Sequence, residues 1–159
     1  WREQMIRTLL LSMAMWGTPA FAEDGNDGNA KGVVVQSSIK IEMMVVHAHT
    51  KNDEVHPSVR PLMKYFTSYR YSGFDLIDTK SVRLEDDGSK SFTIQGNRKI
   101  SIRLVSHDDI KARLKVTILG AKGKRLLDTT MVVNRNGTFI VAGPKFREGI
   151  LILPVTATY

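Results

Sequence analysis

Imidazoles two residues apart on an extended chain project from the same face, and His47-Ala48-His49 has that spacing. Met43 and Met44 precede the pair, and His56 follows, with Asp53 and Glu54 just before it. Imidazole with thioether suits copper, and zinc is the other ion such a set is expected to take. Met43, His47, His49 and His56 are therefore the candidate ligands. The competing reading is purely structural: Met43 and His47 fill the inner face of a strand and His49 closes its end. Spacing alone fixes no third ligand.

Other chemistries find less support. The chain has no cysteine and no G-x-S-x-G elbow, and the pattern singles out no serine beside a histidine. His107-Asp108-Asp109 pairs an imidazole with carboxylates, but it falls where a hairpin turn is expected, and turns favour Asp for backbone reasons. Asp75, Asp78, Glu85, Asp86 and Asp87 could supply paired carboxylates, yet nothing sets two of them face to face across a cleft. The expectation is a protein without catalysis and without a cofactor.

Charge offers a different site. Arg98, Lys99, Arg103, Lys111, Arg113 and Lys115 should fall largely on the wet face of one hairpin, with Lys122, Lys124 and Arg125 at the next turn. No aromatic residues interleave with them for base stacking, which argues against nucleic acid. An anionic envelope component or an acidic protein is the partner such a face would suit. A second contact candidate is the Gly143–Gly149 segment, which offers Lys145, Phe146 and Arg147. There Phe146 reads either as an exposed anchor or as a plug for the end of the core, and the plug is the favoured reading.

These residues need a scaffold, and the pattern is β almost throughout. Ile39, Ile41, Met43, Val45 and His47 alternate with Lys40 and Glu42. Val59, Leu62, Met63 and Phe66 at i, i+3, i+4 and i+7 predict one helix, about Val59 to Thr67, capped by Ser58 and lying across a sheet. Strands are then expected at 69–78 and 81–84, around Phe92 and Ile94, at 100–104, 112–118, 125–133 and 138–142, and at 150–158. Asp86-Asp87-Gly88, Gly96-Asn97, Ser106–Asp109 and Asn134–Gly137 are the turns. About eight strands and one short helix result, mainly β: an antiparallel β-sandwich or a helix-covered antiparallel sheet. Leu151, Leu153, Val155, Ala157 and Tyr159 alternate like the last strand of an outer-membrane barrel, but Pro154 interrupts that strand and the strands are short.

The amino-terminus reads as an export signal. Arg2 and Arg7 precede the apolar run Leu9–Trp16, Gly17 and Pro19 break it, and Ala20-Phe21-Ala22 offers an A-x-A cleavage site after Ala22. Residues 23–32 (EDGNDGNAKG) are polar and glycine-rich and read as a disordered linker, so a single β-rich domain is expected at 33–159. Cleavage would take Arg2, Arg7 and Glu3 from 23 basic and 16 acidic residues, lowering the net charge by one from +7. An exported domain without cysteine relies on burial and hydrogen bonds rather than disulfides, and carries no lipid-modified cysteine. No segment after the leader has the apolar length of a membrane-spanning helix. Periplasmic or secreted location is the expectation.

Two stretches carry a resemblance. Val46–Leu62 (VHAHTKNDEVHPSVRPL) and Leu127–Val155 (LDTTMVVNRNGTFIVAGPKFREGILILPV) resemble uncharacterised exported proteins of Gram-negative bacteria. Those proteins carry an early V-H-A strand and a G-G-P-K-aromatic-x-x-G-hydrophobic ending; here Ala142 precedes Gly143-Pro144, and His56 precedes Pro57. The resemblance implies export and a β fold and transfers no site residue. Within the second stretch, 129–133, 137–141 and 151–156 are similar to the β-hairpin near the end of secretin channels, which implies a minor role as an accessory factor of a secretion or pilus system. The sequence thus points to an exported envelope or secreted interaction module. A periplasmic copper- or zinc-binding protein is the alternative.

Overall fold

The computed structural model describes residues 37–159, so the export signal and the linker expected before them lie outside the described residues. Eight strands follow one another: β1 (Ile39–His49), β2 (Gly73–Leu84), β3 (Ser89–Ile94), β4 (Arg98–His107), β5 (Lys111–Leu119), β6 (Arg125–Asn134), β7 (Thr138–Phe146) and β8 (Gly149–Thr158). They pair antiparallel in two four-stranded sheets, ordered β2-β1-β8-β7 and β3-β4-β5-β6. The molecule is the antiparallel sandwich that the alternation predicts.

The inward positions of both sheets make the main core. Ile39, Ile41, Met43 and Val45 of β1 meet Ile100, Ile102 and Leu104 of β4 and Leu114, Val116 and Ile118 of β5, all buried. Lys115, Arg113 and Lys111, between those positions, stay exposed. Strand β2 lies at an edge, and on its inner side Asp78 and Lys80 stand opposite Val45 and Met43 and pair with each other at 2.7 Å. Inward-pointing charge of this kind blunts an edge against pairing with another chain.

A second, smaller core lies on the outer face of the first sheet. After Met44 the outward positions of β1 turn apolar, and Val46 and Ala48 with Ile152 and Phe74 are covered by Val59 and Phe66. The covering segment is the helix expected at 59–67, but it is a 3-10 helix over Arg60–Tyr65. Its cap is Val59 rather than Ser58, with no side-chain cap bond, and no residue within it is buried. Bonds three residues apart (Leu62 N–H to Val59 O, Phe66 N–H to Met63 O) wind the chain just enough to drop Val59 and Phe66 onto the sheet. Phe66 stacks on Phe74, with centroids 5.2 Å apart. Val55 pairs beside Phe74 and pins this excursion to the edge of β2.

Two further expectations change. Residues 143–146, read as loop, continue β7 past a bulge at Gly143-Pro144, where the register with β8 shifts between Ala142 and Lys145. Pro154 does not end β8, which runs through it, and the pairing to β1 instead skips from Met43–Val155 to Val46–Ile152. A proline offers no N–H to that ladder. Residues Leu151 to Val155 are buried on both faces, one under the other sheet and one under the 3-10 cover, so their alternation is not that of a lipid-facing strand. Among the described residues no helix is long and apolar enough to cross a membrane.

Candidate metal centre

His47 and His49 end β1 on its inner face, where the apolar run of the core gives out. Both are buried, at 8% and 3% exposure. Their rings lie 5.0 Å apart. The third member comes from the neighbouring strand. The pairing of β1 with β2 shifts between Val45 and Val46, so that Ile77 is an extra residue and Asp75 stands opposite His47. Without that bulge Asp75 would face Ala48 on the apolar outer side, because a one-residue slip exchanges the two faces of a strand. As built, a nitrogen of His47, a nitrogen of His49 and an oxygen of Asp75 lie within 4.8 Å of one another.

The hydrogen bonds define the tautomers. The Lys51 N–H donates to His49 Nδ1 at 3.2 Å, so the neutral ring carries its proton on Nε2 and donates it to Asp75 Oδ2 at 3.0 Å. His47 differs. Its Nε2 is buried without a partner among the described residues. The Phe146 backbone favours a proton on this ring, and with Nε2 unpartnered that proton is placed on Nδ1, which leaves the Nε2 lone pair free. Burial pushes the protonation of His47 below the ordinary 6.5, and neighbouring His49 lowers it further, against the opposing pull of Asp75 and the Phe146 backbone. At neutral pH the ring is an uncharged base.

Close backbone packing sets His49 in place. Gly73 lies opposite it, and a Cβ there would run into the ring, 2.7 Å from Nδ1. On the other side, a Cβ on Gly149 would collide with the Ala48 carbonyl and sit 3.2 Å from the His49 Cα. Phe146 stands edge-on to His47 at 5.2 Å, half-buried against the main core. It is a plug rather than an exposed anchor, while Lys145 and Arg147 beside it are exposed. Arg147 lies over the Phe146 ring at 5.1 Å. Asp75 is more than half exposed and forms part of the wall of an open cavity of about 700 Å³, shared with Asp53, Glu54, His56 and Arg60. Solvent reaches the cluster from that side.

Two of the four expected ligands are therefore brought together and two are not. Met43 shares the face of His47 but sits four residues back, about 13 Å along the strand, inside the main core. His56 is exposed in the loop, accepts from the Ser58 N–H at 3.3 Å and lies outside the cluster. Asp75, whose sequence context suggests only a paired carboxylate, takes the third place.

The basic face forms on the outer side of the second sheet. Arg103 and Lys115 stand directly opposite each other on β4 and β5. Arg103 pairs with Asp87 at 2.8 Å, and Lys115 shares Asp128 with Arg125. Lys99, Lys111 and Arg113 make no ion pair among the described residues. Arg98 leaves the face altogether, its guanidinium donating to the Gln95 and Lys145 carbonyls at the end of the sandwich. Compared with family models, with curated proteins and with solved structures, the chain gives no match.

Proposed function

We propose that this is an exported metal-binding domain that holds one divalent ion of the zinc or copper(II) kind on His47, His49 and Asp75. One observation carries the reading: the buried His47 Nε2 lone pair has no partner among the described residues, yet it faces a cluster offering a second imidazole and a carboxylate. A buried polar atom left unpaired is costly, and an ion at that place would satisfy it. With Met43 remote the donor set is two nitrogens and an oxygen, which suits borderline divalent ions better than copper(I).

Binding asks for two adjustments. Ligand atoms around a tetrahedral zinc lie roughly 3.3 Å apart, so the cluster must close by an ångström or so, which the exposed Asp75 side chain can do. His49 must also move its proton from Nε2 to Nδ1, and the Lys51 amide, on an exposed bend, then turns to water. Three protein ligands leave a coordination position open toward the cavity beside Asp75. Calorimetric titration of metal-free protein with Zn(II) and with Cu(II) tests the proposal. Micromolar or tighter binding is expected, weakened at least tenfold in His47→Ala, His49→Ala and Asp75→Asn. Wild-type binding weaker than micromolar for both ions would end it.

A second reading rests on Lys111 and Arg113, which make no ion pair among the described residues. With Ser106, His107, Asp108 and Val132 they line a cavity of about 220 Å³ on the basic face, where the two cations outnumber the one carboxylate and would seat an anionic group of an envelope polymer or an acidic protein. Retention on an anionic matrix should fall with salt and with the Arg113→Glu, Lys115→Glu double variant. Retention indifferent to both would remove this reading.

A further inference from the structure

The opposite end of the sandwich carries a different constellation, assembled from three separate segments. Ser37 precedes β1, Asp86 lies in the turn between β2 and β3, and His107 is the last residue of β4 rather than part of the turn beyond it. The Ser37 Oγ lies 2.7 Å from His107 Nε2, and Asp86 Oδ1 lies 2.6 Å from His107 Nδ1. An ionised carboxylate only accepts, so the neutral ring carries its proton on Nδ1 and donates it to Asp86. Nε2 is then the acceptor for the serine hydroxyl. Tyr159 packs edge-on against the imidazole at 5.6 Å, and the His107 side chain is only 10% exposed. Ser37 and Asp86 stay open to solvent.

Nucleophile to base, and base to an orienting carboxylate, is the arrangement that activates a serine, and it is recognised by geometry rather than chain order. We propose that Ser37 is an activated nucleophile, with His107 as its general base and Asp86 as the residue that orients the base, and that it accepts acyl groups from small carboxylic esters. Ser37 Oγ attacks the ester carbonyl carbon while its proton passes to His107 Nε2. The carbon–oxygen bond to the alcohol then breaks, and the departing alkoxide takes that proton. Water attacks the acyl-serine, His107 receives its proton and returns it to Ser37, and the carboxylic acid leaves. An exposed hydroxyl admits a small ester with a good leaving group; an amide would ask more of an oxyanion hole. The contrasting role is a latch tying the start of β1 to the second sheet, for which the serine needs no reactivity.

Labelling of the full-length protein with a fluorophosphonate probe separates the two, with the modified residue read by peptide mass spectrometry. In that reaction Ser37 Oγ bonds phosphorus and fluoride leaves. Ser37 should be labelled at least tenfold faster than its neighbour Ser38, and p-nitrophenyl acetate should be turned over. His107→Gln should slow labelling of Ser37 by about 100-fold, the low end of what a general base contributes. Asp86→Asn should slow it at least tenfold while the near-ultraviolet circular dichroism stays native, a change in rate that a latch would not produce. Absence of Ser37 labelling in the wild-type protein overturns the proposal without any variant. Labelling that survives His107→Gln at the wild-type rate overturns it as well.

Discussion

Replacing His47 by phenylalanine should make the metal-free protein more stable and abolish its response to metal. The ring keeps its place against Phe146, so the edge-on contact at 5.2 Å survives. What disappears is the unpartnered Nε2, a buried acceptor whose desolvation costs about 1–3 kcal/mol. The favourable interaction of the ring with the Phe146 backbone is lost too, a loss of about 1 kcal/mol. Taking about 2 kcal/mol for the first term, the net gain is about 1 kcal/mol, or a rise in Tm of about 3–6 °C for a domain of this size. The assay is thermal unfolding of chelator-treated wild-type and His47→Phe proteins, with and without zinc. Wild-type should gain about 2.7 kcal/mol when free zinc stands at 100 times its dissociation constant, and the variant should gain nothing. A metal-free variant less stable than wild-type would refute the premise that His47 Nε2 is held unsatisfied at a cost. An equal zinc response in both proteins would refute the assignment of the ligand.

Three other perturbations follow from the same geometry. Gly73→Ala should destabilise by about 1–3 kcal/mol and weaken zinc binding more than tenfold, since the new Cβ meets the His49 ring; unfolding and calorimetry on one preparation check both. Because the folded protonation of His47 lies below 6.5, the unfolded chain binds more protons on acidification. Its contribution to stability is thus complete above about pH 6.5 and is lost as pH falls through the folded value. Denaturant midpoints from pH 7.5 to 5 should show this fall, and His47→Phe should flatten it. Phe146→Ala removes the half-buried plug, at about 2 kcal/mol, and by opening His47 to water should bring its titration, followed by NMR, back toward 6.5.

Where the sequence was legible, one strand at a time was enough. The alternation from Ile39 to His47, the hairpin of β4 and β5 and the exposure of Arg103, Lys111, Arg113 and Lys115 all follow from period two within single segments. What stayed hidden depends on register between segments. Asp75 joins the histidines only because Ile77 bulges out of β2, and a bulge leaves no mark in a run such as FDLIDTK. Ser37, Asp86 and His107 meet only because the two sheets stack, and neither a serine before a strand nor an aspartate in a turn announces a histidine 70 or 21 residues away. The 3-10 geometry at Arg60–Tyr65 was missed for a related reason. The i, i+3, i+4 pattern reports which side chains turn toward the sheet, while the hydrogen-bond ladder depends on how far apart Val59 and Phe66 must land.

Both constellations sit at the ends of the sandwich, and the architecture explains why. In the middle of the stack an inward side chain on β1, β4 or β5 meets the opposite sheet, and Ile41, Leu104 and Val116 there are apolar, while the inward charges Asp78 and Lys80 lie on the edge strand β2. At the rim the facing sheet ends, and an inward position is desolvated on one side yet within reach of loops and water on the other. A histidine placed there is buried enough to be held in one tautomer and open enough to exchange a proton or a ligand. At one rim His49 and Asp75 pair beside the free lone pair of His47, and at the other His107 lies between Asp86 and Ser37. The exposed carboxylate has the same task in both places, fixing which ring nitrogen carries the proton, but the outcome differs. Asp86 binds the Nδ1 proton and turns Nε2 of the same ring into a base for Ser37. Asp75 binds the Nε2 proton of His49, so the vacant nitrogen at that rim belongs to His47, and filling it with a metal requires the His49–Asp75 pair to give up its proton first. Metal binding at the first rim should therefore weaken as the Asp75–His49 bond is strengthened, and Asp75→Glu, whose longer arm can reach the ring and the ion separately, should bind zinc no worse than wild-type.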